Sequence, residues 1–184
     1  MTSAVQSEVQ SAIELPLVDP IYRHLWNRRC DVHHRLYVSY RYHRRRQRFF
    51  DLLDKGTKSV TVLLGASLLG ETVKLNVPLV ASGISGLGLL ALVFGYSERK
   101  QTHKELAEMC MQFIGKIEQA TPEQIRSSLV GEWEAEFARI NAKEPPALKT
   151  LVIICEYEQA VSVGHRDHIK LPGLHKRLLA DFVS

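Results

Sequence analysis

The chain has 184 residues, enough for one domain or for a membrane segment joined to one small domain, and too few for a large multidomain enzyme. Hydrophobic residues make up 45% and charged residues 24%, an ordinary globular average that conceals a pooling of the apolar residues in the middle. The net charge of +4 is too small to require a nucleic-acid partner, but residues 21–58 hold eleven Lys or Arg against three Asp, so a local excess of +8 leaves the remainder at −4.

Residues 1–18 form an N-terminal tail with Glu8 and Glu14 and no uninterrupted apolar stretch after a basic start, so no cleaved signal peptide is expected. Asp19 followed by Pro20 marks a helix start, the carboxylate capping free amides and the proline fitting the first turn. From there Ile21, Leu25, Val32, Leu36 and Tyr40 keep a helical stripe, which predicts one long basic helix over 19–56. Tyr22, Trp26, Tyr37, Tyr42, Phe49 and Phe50 are interleaved with its arginines, a pattern of amphipathic rings and cations that suits anionic headgroups. The run Arg41 to Arg48 could instead contact nucleic acid in a soluble protein, the lesser expectation beside a membrane segment.

Residues 77–96 are uncharged for twenty positions, and a helix of that length is ~30 Å, one hydrocarbon thickness. Residues 59–70 give only twelve uncharged positions, but Lys58 at one end and Glu71 and Lys74 at the other can hold residues 57–75 across a bilayer by reaching the headgroups. Pro78 and the polar stretch before it predict a tight reversal, hence a two-span hairpin over 57–96. Ten Lys or Arg flank the hairpin (Arg41, Arg44, Arg45, Arg46, Arg48, Lys55, Lys58, Arg99, Lys100, Lys104) against Lys74 alone in the turn, so both termini are expected in the cytoplasm. Of these, Arg41, Arg44, Arg45, Arg46, Arg48, Lys58, Arg99 and Lys100 are the expected contacts to anionic lipid. The alternative is a soluble helical protein with the hairpin as its core, but residues 77–96 offer only Ser82 and Ser85 to a polar face.

Small residues recur in both spans: Gly65, Ala66 and Gly70 in the first, and Ser82, Gly83, Gly86, Gly88, Ala91 and Gly95 in the second. In lipid such positions let helix backbones approach, within the chain or between copies, and they are the candidate helix-packing positions. Because one hairpin cannot enclose a channel, conduction would need a homo-oligomer. Glu71 is the candidate pore mouth.

Leu106, Met109, Cys110, Phe113, Ile114 and Ile117 predict an amphipathic helix over 97–120, continuous with the second span and paired antiparallel with the N-terminal helix. In the C-terminal region, 121–184, Thr121, Pro122 and Gln124 read as a capping box that opens a helix with Trp133, Phe137 and Ile140 on one face. Pro145 and Pro146 open another, aligning Leu148, Leu151, Val152 and Cys155; residues 152–155 could alternatively be a short strand. A last helix from Pro172 groups Leu174, Leu178 and Phe182. The fold class is therefore all-α, a two-span transmembrane hairpin flanked by long cytoplasmic helices and a small C-terminal helical region.

No catalytic set, cofactor or metal is expected. His165, Arg166 and Asp167 match a kinase triplet without its companion motifs. Gly83, Gly86 and Gly88 have the wrong order for a dinucleotide fingerprint, and helix packing explains them better. His165, His168, His175 and Cys155 lack a second tight pair of zinc ligands. Three widely spaced cysteines, Cys30, Cys110 and Cys155, suit reducing surroundings rather than a disulfide framework.

The basic aromatic helix, short hairpin, post-membrane helix and the segment EPPALKTLVIICEYEQA together resemble the SLATT group of bacterial two-transmembrane proteins, over about residues 21–163. The most specific element is Glu144, Pro145 and Pro146 leading into Leu151, Cys155 and Glu158. The resemblance implies an oligomeric inner-membrane protein that forms pores or disrupts the membrane as an effector in a defence or conflict system, driven by a separate sensor or trigger protein. The alternatives are a non-conducting membrane-anchored scaffold and a soluble, basic, helical nucleic-acid-binding protein.

Overall fold

The computed structural model describes residues 19–67, 77–165 and 169–182, and every described element is helical. Helix α1 (Pro20–Ser67) opens where the sequence predicts, with the Ile21 amide donating to Asp19 Oδ1 at 2.9 Å. It runs without a break through the expected boundary at residue 56, and its 48 residues make it ~72 Å long. Helix α2 (Val77–Phe94) continues almost directly into α3 (Tyr96–Gln119) through Gly95, whose φ of 55° is left-handed. The junction is nearly seamless, since the Gly95 amide still donates to the Ala91 carbonyl and the Arg99 amide to that of Gly95.

The α1 and α2–α3 rods lie antiparallel. Arg29 meets Ile117, Ser39 meets Cys110, His43 meets His103, and Leu64 meets Gly83, so position rises along one rod as it falls along the other. Along the lower half, Leu25, Val32 and Leu36 of α1 pack on Leu106, Cys110, Phe113, Ile114 and Ile117 of α3, which is the expected seam. Helix α4 (Ser127–Asn141) completes this core with Val130, Trp133, Phe137 and Ile140. A bidentate pair, Arg28 Nε and Nη2 to the two oxygens of Glu134 at 2.8 and 2.5 Å, fixes its register on α1.

A second, smaller core lies on another face of α1. Val38 and Tyr42, four residues apart, meet Leu151, Ile154 and Cys155 of α5 (Lys149–Ser162), with Ala180 closing the cluster. Residues 152–155 are therefore helix, as the proline start implies. The Leu148 amide, one of the orphan donors at the start of α5, donates to Tyr42 Oη at 3.2 Å.

Three expectations need correction. The Thr121 capping box is real, its amide donating to Gln124 Oε1 at 3.0 Å, but it closes only a 3₁₀ turn (Pro122–Gln124), and α4 starts at Ser127. Arg126, extended at φ −128°, separates the two. The last helix is a single short piece, α6 (Leu174–Leu178), and its leucines do not face a core: Leu174, Leu178 and Phe182 are all largely exposed, while the small Ala180 is fully buried. The aromatic rings of α1 belong to the bundle rather than to a headgroup belt, Tyr22 and Trp26 packing on the first core and Tyr42 and Phe50 being buried.

Above residue 54 the pattern inverts. Val60, Val62 and Leu63 of α1 and Val77, Leu79, Leu89, Leu90, Leu92, Val93 and Phe94 of α2 are exposed, and α2 has no buried residue. The α2–α3 rod is the one described helix long and apolar enough to cross a membrane. The apolar end of α1 is described only as far as Ser67, and the expected turn at 71–76 lies outside the described residues.

Candidate functional site: an exposed apolar stem on a buried polar foot

The stem consists of the exposed ends of α1 and α2. Such a surface is costly in water, at roughly 25 cal/mol per Å² of apolar area. Among the described glycines of the stem only Gly83 faces the neighbouring rod, with Leu64 Cδ1 3.7 Å from where a Cβ would stand. Gly65, Gly86 and Gly88 have nothing within 4 Å, so their faces are open. Ala66 is likewise exposed, and Ser82 is exposed with its hydroxyl donating to the Pro78 carbonyl at 2.8 Å. Gly95 has a distinct role, since it takes the positive φ that lets α2 pass into α3; Ala91, partly buried, accepts its amide. Gly70, Glu71 and Lys74 lie outside the described residues.

Phe94 and Tyr96 stack at the lower edge of the stem, ring centroids 5.7 Å apart. One turn below, Lys100 Nζ reaches Asp54 Oδ2 at 3.3 Å and Asp51 Oδ1 at 3.5 Å, while Lys58 pairs with Asp54 at 2.9 Å. Hydrogen bonds from Lys58 and Lys100 hold the Asp54 carboxyl below its ordinary range. Of the lysines expected at headgroups, Lys100 thus binds α3 to α1, while Lys58 pairs within α1.

The arginine run is likewise engaged inside the molecule. Arg41 Nε donates to Gln159 Oε1 at 2.8 Å, Arg45 pairs with Glu158 at 3.5 Å and Asp181 at 3.8 Å, and Arg46 donates to the Asp181 carbonyl at 2.7 Å while its guanidinium lies 4.5 Å over the Phe50 ring. Arg44 donates to Gln47 on its own helix. Arg48 and Arg99 remain exposed, without an ion pair among the described residues, Arg99 lying 5.9 Å over Phe50. Among the described residues, Arg41, Arg44, Arg48 and Arg99 are therefore the members of the expected lipid set whose charge is not matched by a carboxylate.

At the centre of the foot lies a polar chain that composition and motif matching missed. His43 Nδ1 and His103 Nδ1 are 2.8 Å apart, so one donates and the other accepts, and both rings are buried. His43 Nε2 lies 3.0 Å from Glu144 Oε1, close enough to pair electrostatically but off the line of a well-formed hydrogen bond. Ser39 Oγ donates to the same oxygen at 2.6 Å, and Cys110 Sγ lies 3.5 Å from Ser39 Oγ. Burial and the neighbouring His43 push His103 down from 6.5 to about 4, so its ring is neutral. Burial raises the Glu144 carboxyl, but His43 and Ser39 outweigh it and hold the group below its ordinary value. The stripe itself could have revealed the pair: His43 continues Val32 and Leu36 at helical spacing, and His103 precedes Leu106 and Cys110.

Of the three cysteines Cys30 is exposed, and the other two are buried thiols. Burial raises Cys110 to about 11 and Cys155 to about 12, and all three cysteines are free. Among the described residues no three His, Cys, Asp or Glu side chains stand together as a metal site; His165 and His175 are exposed, while Arg166, Asp167 and His168 lie outside the described residues. Compared with protein-family models, curated proteins and solved structures, the chain matches none of them.

Proposed function

We propose that the protein is a small membrane protein, both termini cytoplasmic, whose α1 and α2 ends form a two-span hairpin in the bacterial inner membrane and whose copies assemble through that hairpin to form a pore or disrupt the bilayer. The observation that carries this reading is the exposed stem: lipid, unlike water, imposes no cost on ten bare large apolar side chains, and α2 has the length to cross it. The flanking Arg and Lys bias supports the orientation. The open faces at Gly65, Gly86 and Gly88 support assembly, because close helix approach in lipid relies on small residues. The SLATT resemblance supports a role as an effector in a defence or conflict system with a separate trigger protein, and Glu71 is the candidate ring at the mouth.

Induced expression should collapse membrane potential, measured with a potential-sensitive dye, and Gly86→Leu should suppress the collapse while leaving the protein in the membrane. Unchanged potential at high expression, with neighbouring genes present, would refute the pore.

A non-conducting scaffold is the second reading, favoured by the compact α3–α4–α5 foot, where most of the buried side chains lie. A stoichiometric partner captured by the full chain, without ion flux, would select it. Nucleic acid is the lesser reading, since carboxylates, Gln159 and a carbonyl already meet Arg41, Arg45 and Arg46.

A further inference from the structure

The C-terminal segment is built inside out for a segment facing water. Its buried contacts with the bundle are made by a small and a polar member: Ala180 is fully buried, and Asp181 turns inward to Arg45 at 3.8 Å and Arg46 at 4.0 Å. Its large apolar groups face outward, Leu174 69% exposed, Leu178 72% and Phe182 66%, with Leu179 and the nearby Leu52 of α1 also bare. Phe182 is held edge-on to Phe49, ring centroids 5.0 Å apart, so the patch is pinned in place. A folded segment that presents several leucines outward marks an interaction surface.

Charge indicates which one. Residues 169–180 contain Lys170, His175, Lys176 and Arg177 and no acid, and Arg41, Arg44 and Arg48 line a groove whose Arg45 is paired with Glu158. Leucines beside unpaired cations fit an anionic lipid surface.

We propose that the segment carrying α6 and Phe182 is a second membrane contact, an interfacial foot that lays Leu174, Leu178 and Phe182 into the headgroup boundary of anionic lipid beside the stem. The inference rests on the stem lying in lipid, and its test separates the two. Single cysteines at Leu178, at Leu92 on the stem and at Ile153 on α5, in a full-length Cys30→Ser background, would carry nitroxide labels; the buried Cys110 and Cys155 do not compete. Collision with oxygen, which partitions into lipid, and with a water-soluble nickel chelate would be read by electron paramagnetic resonance in phosphatidylcholine vesicles with and without phosphatidylglycerol.

The foot predicts an oxygen-to-nickel collision ratio at Leu178 several-fold above that at Ile153 when phosphatidylglycerol is present. The ratio should fall toward the Ile153 value in phosphatidylcholine alone and in Lys176→Glu/Arg177→Glu, with Leu92 unchanged throughout. A water-like ratio at Leu178 in all vesicles, with Leu92 in lipid, overturns the foot and leaves the stem standing. So does shielding of Leu178 from both reagents, which would mean a second copy or another protein covers it. A water-like Leu92 overturns the stem, and the foot with it.

Discussion

His103 is the residue whose ionisation most depends on the fold. Its folded value of about 4 lies below the ordinary 6.5, so between those limits the unfolded chain binds the extra proton. Stability is therefore complete above pH ~6.5 and falls as pH drops toward 4, by up to about 3 kcal/mol. Glu144, held below its ordinary value, adds a loss only at more acid pH. Melting the detergent-solubilised protein across this range should show the decline, and His103→Leu should flatten it while costing roughly 1–3 kcal/mol at neutral pH, because His43 Nδ1 loses its partner. A His103→Leu curve as steep as the parent's would assign the slope elsewhere. Magnitude also separates two conspicuous contacts. Leu36 is fully buried between α1 and α3, so Leu36→Ala should cost about 2–5 kcal/mol. Arg28→Ala, which removes a well-aligned but solvent-screened ion pair, should cost much less than Leu36→Ala. Denaturant titration of the two variants checks the ranking.

Among the elements, the glycines of α2 and its junction look alike in sequence but are not equivalent. Gly95 has a positive φ, and a Cβ there meets only Glu98 Oε2 at 3.7 Å, so Gly95→Ala is expected to cost about 1–2 kcal/mol from backbone strain rather than from a clash. Gly86→Ala has open space and regular helix, so stability should hold or rise slightly, while Gly86→Leu should shift the particle to smaller size in size-exclusion chromatography with light scattering. Spacing alone could not tell these positions apart, because a repeat of small residues records where side chains are absent and not what the backbone does there. Helices whose apolar residues recur at full helical period were legible: the α3 seam, the shared face of Trp133, Phe137 and Ile140 in α4, and the α5 face of Leu151 and Cys155 all lie where the pattern places them. The α6 face was not, since Leu174, Leu178 and Phe182 keep helical spacing yet the buried contact is made by Ala180.

For the whole molecule, charge counting was the least transferable part of the sequence. The +8 surplus of residues 21–58 reads as a surface for anionic partners, but part of it is met by carboxylates of the C-terminal half of the same chain, Glu134 on Arg28 and Glu158 and Asp181 on Arg45. Net charge carries no information about which segments fold against each other. The His103–His43–Glu144 chain escaped because its joined members are 60 and 101 residues apart and meet only by packing. The apolar middle was legible because a bare stretch of that length has few solvents open to it. The most direct measurement is extraction of membranes from expressing cells with alkaline carbonate and then with detergent. The full-length protein should stay in the carbonate pellet and be released by detergent, whereas recovery of soluble, monodisperse protein in carbonate or plain buffer would contradict a stem solvated by lipid.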